Sequence, residues 1–317
     1  MYNIFIFRRD LRLYDNYGLS YIMKNYENII PIFIFTPEQI TNENKFLSHN
    51  ALKFMIESIN DLQLNLSKYN SKLYLFYGDN IDILTKIVNI LPISNIIFNI
   101  DYTKYSRVRD GLIAKFCKSN NINLYGIEDY LLSNVGKLNK SDGTNYVVFT
   151  PFKNNALMND ETLINKIKKY KINNLINIKT KKVKEDTNKL DKLSINLSDI
   201  KYKNNEYSLV IGGRTNALKQ LKLTLKNQSQ YNENRDKLYI TTSHLSAYIK
   251  FGNLSIREVY WSIKNNFKKD NLLLSQLLWR EFYYYIVYYN PDILSKNRIS
   301  FNNTFDKIKW TNNLLDF

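Results

Sequence analysis

The chain has one cysteine, Cys117, among 317 residues. A disulfide framework is therefore excluded, and the chain suits a reducing compartment. No apolar run approaches the length of a membrane span. The first apolar stretch, residues 2–7, is too short for a secretory signal, and Arg8, Arg9 and Asp10 follow it at once. These absences point to an intracellular protein, cytoplasmic or nuclear. No strand is followed by a GxGxxG or GxxxxGK loop, which argues against an ordinary dinucleotide dehydrogenase or a P-loop NTPase. No metal-ligand set is assigned. Acidic residues are also in short supply: 29 Asp and Glu stand against 45 Lys and Arg, a net charge of +16. That balance favours a polyanion, most simply nucleic acid. Lys, Asn, Ile and Tyr are over-used throughout, as in the AT-rich genomes of many viruses and microbes, so charge alone does not identify a DNA binder.

The hydrophobic fraction is 44%, enough for sizeable cores, and the length allows two domains. The chain is organised around residues 271–290, NLLLSQLLWREFYYYIVYYN, which contain no Gly or Pro before Pro291. Leu274, Leu277, Leu278, Phe282, Tyr285 and Ile286 recur at helical spacing, so the spacing predicts a core helix. Gln276, Trp279, Arg280 and Tyr283 fall at i, i+3, i+4 and i+7 and share one face. An amide, an indole, a guanidinium and a phenol together can stack on a flat ring and hydrogen-bond its edge. Read structurally, the same helix is buried with a snorkelling Arg280 and Glu281 as an internal ion-pair partner.

The amino-terminal half alternates strand and helix. Strands are predicted at 2–7, 29–35, 73–77, 96–100 and 123–125, and helices near 18–25, 48–67 (Ser48 as N-cap), 81–88 and 106–119. That alternation implies parallel βαβ units in a doubly wound α/β sheet, which binds ligands at the carboxyl ends of its strands. After the first strand comes Phe7-Arg8-Arg9-Asp10-Leu11-Arg12 with Asp15-Asn16, whose charges could be a surface ion-pair cluster. Residues 166–205 are rich in Lys, Asn and Thr without strong periodicity. They are expected to be a connector draped over the surface, within a linker spanning 153–210. An all-α half is expected from 211, beginning with a helix from Gly212-Gly213-Arg214-Thr215 to about Asn227. Thr242, Ser243 and Ser246 then open a short helix, where hydroxyls and free backbone N–H groups suit a phosphate. Plain N-capping by Thr242 or Ser243 is the structural alternative.

Three blocks resemble the photolyase/cryptochrome family of flavin-dependent blue-light proteins: FRRDLRLYDN, VFTPFK at 148–153, and SQLLWREFYY. So do the 101–110 segment and the stretch from Tyr231 through TTSHLSAYIKFGNLSIR. The resemblance implies an antenna domain over 1–152 and a helical FAD-binding and DNA-binding domain over 211–317. It implies that Tyr231, Thr242, Ser243, His244, Leu245 and Ser246 hold FAD, with His244 where relatives mostly carry Arg. By the same resemblance Arg235 touches DNA phosphate, Trp279 stacks on the damaged base pair, and Arg280 holds flavin or DNA phosphate. Gln276 and Tyr283 line the same lesion cavity, and Gln276 stands where many dimer photolyases place Glu. Trp310 matches the outermost tryptophan of the family's electron-transfer chain. Many relatives bind a folate or a deazaflavin antenna in the first domain. The acidic residue that folate binders use is not evident at Tyr105 and Ser106, so the antenna is left unassigned.

The family continues beyond Trp310 with segments that contact the flavin ring, and these are absent from this sequence. The helical domain is therefore expected to be incomplete, needing a second chain to supply the remaining helices. The implied function resembles that of deoxyribodipyrimidine photo-lyase: light-driven repair of pyrimidine dimers in damaged DNA by electron transfer from reduced FAD. The alternatives are a cryptochrome-like photoreceptor and a catalytically inactive DNA-binding remnant.

Overall fold

The computed structural model describes residues 1–268, 271–294, 304, 307 and 308. The elements run β1 (Tyr2–Phe7), α1 (Tyr17–Asn25), β2 (Ile29–Phe35), α2 (Pro37–Ile40), α3 (His49–Ser67), β3 (Tyr74–Tyr77), α4 (Asn80–Ile90), β4 (Ile93–Asn99), α5 (Lys104–Ser119) and β5 (Asn123–Ile127). Then follow α6 (Phe149–Met158), α7 (Asp160–Leu163), α8 (Lys181–Leu193), α9 (Arg214–Asn227), α10 (Tyr231–Asn234), α11 (Ser246–Lys250), α12 (Ile256–Asn266) and α13 (Leu272–Tyr289). Among the described residues the sheet is five-stranded, ordered β3-β2-β1-β4-β5, and its pairs are parallel. Continuous apolar strands such as YNIFIF and IIPIFIF are buried along their whole length, as a sheet covered on both faces requires. Expected strand and helix positions agree to within a few residues. Ser48 caps α3 as expected, its side chain accepting from Ala51 N.

Strand order reverses between β1 and β4, the place where such sheets usually admit a ligand. Here the chain fills that place itself. Asn99 at the end of β4 donates to Asp10 Oδ2 at 2.6 Å and to Asn16 Oδ1 at 2.8 Å, and its own Oδ1 accepts from Gly18 N at 2.9 Å. A Cβ at position 18 would collide with that Asn99 oxygen, which explains the glycine. The charged motif after β1 is thus no surface cluster. Asp10, Arg12 and Asp15 are buried, and they tie the sheet to the helical half. Arg12 donates to Asp129 at 2.6 Å and to the Gly252 carbonyl at 3.2 Å. Arg257, at the start of α12, is fully buried and donates to Asp15 at 3.1 Å and Asp129 at 2.8 Å. Ser255 also donates to Asp15. Gly252 has φ +70°, and a side chain there would strike the Arg9 carbonyl. Oppositely charged groups paired out of water are costly to break from one side; of this set, Arg12 Nε is left without a partner.

The 166–205 segment, expected as a connector draped over the surface, contains a helix of its own. α8 lays Val183, Thr187, Leu190 and Leu193 against the sheet layer, with Lys181, Lys184, Lys189 and Lys192 exposed. Ile195 N donates to Leu75 O at 2.8 Å, covering the β3 edge. An open edge invites pairing with other chains, and this segment closes it. Three apolar contacts and a threonine on a Lys-rich helix carry too little periodicity to stand out in sequence.

The helical half shares one core with the loop after β5. Leu131, Leu132 and Leu138 pack in the same cluster as Leu277, Leu278, Phe282 and Tyr285 of α13.

Candidate functional site

Three side chains on one face of α9 prepare the first part of the site. Gln220, Thr224 and Gln228 are spaced i, i+4 and i+8. Gln220 Nε2 donates to Ser243 O at 2.8 Å, Thr224 Oγ1 donates to the same oxygen at 3.2 Å, and Gln228 Nε2 donates to Thr241 O at 2.9 Å. The carbonyls of 241–243 are thereby strapped to α9. Among the described residues the N–H groups of Thr242, Ser243, His244 and Leu245, and the hydroxyls of Thr242, Ser243 and Ser246, have no intramolecular acceptor. His244 takes φ +49° and Leu245 follows at φ −84°, ψ −14°. That left-then-right turn converges successive N–H groups into an anion-binding concavity. Leu245 anchors the turn in the core, 3% exposed. Helix α11 begins only at Ser246, and its cap residue Leu245 has no side-chain bond. The capping alternative for Thr242 and Ser243 is therefore not realised, and their hydroxyls remain free. Hydroxyls, free amides and a left-handed turn are what a dinucleotide pyrophosphate needs, so the residues fit FAD at its phosphate end.

Tyr231 opens α10, half-buried against the core, and Arg235 follows it on the surface, paired with Asp236 at 3.3 Å. α10 is docked on the start of α13: Asn232 Oδ1 accepts from Leu272 N at 2.7 Å, and Asn271 caps α13 by accepting from Leu273 N.

On α13, Gln276 and Tyr283 are exposed while Trp279 and Arg280 are half-buried. Trp279 lies flat on Phe149, the first residue of α6, with centroids 3.5 Å apart and planes 12° apart. Tyr283 stacks on it at 5.5 Å and 26°. Arg280 turns away from that stack, donating to Tyr130 O at 2.9 Å and lying over the Tyr284 ring. Glu281 is not the ion-pair partner the sequence led one to expect. It is fully buried and accepts from the amides of Leu132 at 2.9 Å and Ser133 at 3.2 Å, and burial pushes its carboxyl up to about 7. Tyr285 continues the lacing, donating to Asn134 O and accepting from Leu138 N. Arg280, Glu281 and Tyr285 thus fasten the loop after β5 to α13. Trp310 lies outside the described residues.

A second site lies at the strand ends where the sequence led one to expect a ligand, but its lining residues escaped the sequence reading. A cavity of 390 Å³ opens at the carboxyl ends of β1 and β2, lined by Arg8, Thr36, Phe46, Asp101, Arg109 and Tyr130 among others. Arg8 Nη2, Arg109 Nη2 and Thr36 Oγ1 are buried there without partners. Burial, with the neighbouring Arg109, pushes Arg8 down to about 10, even though both guanidinium groups pair with Asp110. Asp101 is engaged by Arg9. Unsatisfied buried donors are expensive, so the cavity calls for an anionic or carbonyl-rich ligand. The only signal in the sequence was the doubled arginine after β1 and its distant companion Arg109.

The DNA photolyase family model matches residues 3–168, just over half of the chain. The deoxyribodipyrimidine photo-lyase of Buchnera aphidicola subsp. Acyrthosiphon pisum (strain APS) is 29% identical over 332 residues, covering 99% of this chain and 65% of its own length. Cryptochrome-2 of Gallus gallus is 26% identical over 321 residues, covering 95% of this chain and 54% of its own length. Among solved structures, an archaeal photolyase from Sulfolobus tokodaii, determined with two FAD molecules, superposes with a TM-score of 0.77 at 30% identity. The match covers 99% of this chain and 65% of that one. The chain thus spans less than two thirds of the length of these relatives.

Proposed function

The chain belongs to the DNA photolyase family, and on that premise we propose that it is a light-driven DNA-repair flavoprotein acting on pyrimidine dimers. The observation that carries the reading is the 241–246 turn, strapped to α9 by its carbonyls with its hydroxyls and amides left open. In this reading Thr242, Ser243, His244 and Ser246 hold the FAD pyrophosphate, with Leu245 offering its free N–H and Tyr231 walling the cofactor. His244 offers fewer donors than the planar fork of an arginine would. Bound FAD supplies light-driven one-electron reduction of the dimer. The protein's part is to bind the strand, hold the flipped lesion against α13 and exclude water. Arg235, exposed beside this turn, meets DNA phosphate, and the +16 charge makes the affinity salt-dependent. Arg280 keeps donors beyond the one given to Tyr130 O, and these are offered to flavin or DNA phosphate. Flipping costs a few kcal/mol, least for a damaged pair.

The ring end of the flavin is assigned to helices that correspond to the part of the relatives' length that this chain does not span. The 390 Å³ cavity is assigned to a second, antenna chromophore. Its unpaired guanidinium donors, and its Asp101 already engaged by Arg9, favour a carbonyl-rich or anionic deazaflavin or flavin over a folate. The test is repair of a thymine-dimer oligonucleotide under blue light by the flavin-loaded protein. Photon-dependent loss of the dimer supports the reading, and an intact dimer despite bound flavin sinks it. A cryptochrome-like photoreceptor is the second reading, favoured by the Gln276 amide on the lesion-facing helix in place of a carboxylate.

A further inference from the structure

One short helix touches both the turn at 241–246 and the 390 Å³ cavity. α11 begins with Ser246, the last hydroxyl of the turn, and its five residues span about 8 Å by helical rise. At the far end, Lys250 and Phe251 are part of the cavity wall. That end is fixed to the loop after β1. Phe251 O accepts from Leu11 N at 3.1 Å, and Asn253 Nδ2 donates to Leu11 O at 3.3 Å. Arg8 and Arg9 of the same loop line the cavity.

A second route joins the same two places. Helix α3 lines the cavity with Ala51, Leu52 and Met55. Between them the buried Phe54 packs against Tyr248 and Phe251, with ring centroids 5.2 Å away in each case. Further along α3, Glu57 Oε2 accepts from Gly212 N at 2.7 Å, Ser58 Oγ from Gly213 N at 3.1 Å and Asp61 Oδ2 from Arg214 N at 2.9 Å. These three hold the start of α9, the helix whose Gln220, Thr224 and Gln228 strap the carbonyls of the turn. Cavity wall, α3, α9, turn and α11 close into one ring of contacts.

We infer that α11 couples the turn to the cavity, so that an anion held at 241–246 also fixes the Lys250–Phe251 wall. The inference goes beyond the proposed function and rests on its reading of the turn as a phosphate site. Five residues are too few for a helix to hold itself together, so α11 owes its order to what lies at its two ends. At the turn those contacts are incomplete, because Leu245 gives no side-chain cap and the amides of 242–245 lack acceptors. A phosphate supplies the acceptors, and the order it brings to α11 reaches the cavity end. A ligand entering the cavity then meets a wall that is already fixed, which makes the coupling positive. By reciprocity a cavity ligand tightens phosphate binding by the same factor.

Hydrogen exchange of the full chain, read by peptide mass with and without saturating ADP, tests this on the unmodified protein. Slower exchange is expected at 241–246 and also at 248–253 and 9–12, judged against α1, which lines neither site. Protection confined to 241–246 overturns the inference. Calorimetric titration supplies a second arm. Phe251→Ala opens the cavity wall and is expected to bind ADP about tenfold more weakly, inside the usual range for coupled sites. Phe251→Leu keeps an apolar wall and should bind ADP within about twofold of the parent. An alanine variant that binds ADP like the parent, or a leucine variant as weak as the alanine one, also overturns the inference. A chain that binds no ADP ends the phosphate reading and the coupling with it. A chain that binds ADP without these distant effects ends the coupling alone.

Discussion

Two parts of this molecule carry dense polar clusters, and they differ in one respect. In the clasp between sheet and helices, Asp10, Arg12, Asp15, Asn16, Asn99, Asp129 and Arg257 pair with one another out of reach of solvent, with Arg12 Nε the exception. In the turn at 241–246 and the cavity beside β1, donors are held in place by neighbours yet left without acceptors. A polar group that has its partners inside the chain is holding the fold together. One that is positioned but unpaired is waiting for something from outside. Both clusters sit in short motifs, so a motif alone does not say which of the two it is.

The contrast can be broken most forcefully in the clasp. Arg257→Met leaves Asp15 and Asp129 buried with one charge partner fewer, and is expected to cost about 3–5 kcal/mol of stability. Thermal unfolding should show it as a fall in Tm, with sheet and helices still melting together because the clasp joins them. A variant that melts like the parent would show that the network is dispensable.

Glu281 lies between the two classes, satisfied by two amides but raised in pKa. Its ordinary value is 4.5 and its folded value about 7, so the folded state binds its proton more tightly than the unfolded chain does. The stability this contributes is present below about 4.5 and is lost as pH rises through about 7. Its size is on the order of 3 kcal/mol. Denaturant midpoints between pH 4.5 and 8 should therefore fall less in Glu281→Gln than in the parent. Parallel curves for the two proteins would refute the assignment.

A smaller effect is expected at the strap. Gln220→Leu leaves Ser243 O short of a donor and should cost roughly 1–2 kcal/mol of stability. Because the turn is no longer fixed, FAD affinity should drop about tenfold in calorimetric titration. An unchanged affinity would mean that the turn is rigid without α9. The smallest effect belongs to the surface. Arg235→Ala should leave stability alone, weaken DNA binding a few-fold regardless of sequence, and reduce the salt slope by about one. A sequence-dependent loss would move Arg235 from the phosphates to a base.

Much of this was legible in the sequence, and what was not has physical reasons. Buried parallel strands announce themselves as apolar runs such as IIPIFIF, and α13 by its spacing, because burial constrains every position in them. Helix α8 was hidden because a few apolar contacts suffice for a Lys-rich helix that needs only to cover an edge. Glu281 looked like a charge partner because Arg280 is its neighbour in sequence. On a helix, though, adjacent residues diverge by about 100°, and each found a different backbone group of the same loop. Phe149 gave no hint of meeting Trp279, since 130 positions separate them and only the packing of α6 on α13 brings them together. The arginine-lined cavity was invisible because its defining property, a donor with nothing to donate to, exists only in three dimensions.

The account depends most on the open donors at 241–246 being a phosphate site, and ligand dissection in a titration calorimeter tests that directly. The purified chain is titrated in parallel with FAD, ADP and riboflavin, and again after Thr242→Ala with Ser243→Ala. FAD and ADP should bind with similar affinity, riboflavin should fail to bind, and the double variant should lose both phosphate-bearing ligands. Riboflavin binding as well as FAD, or a double variant that still binds FAD like the parent, would contradict the account.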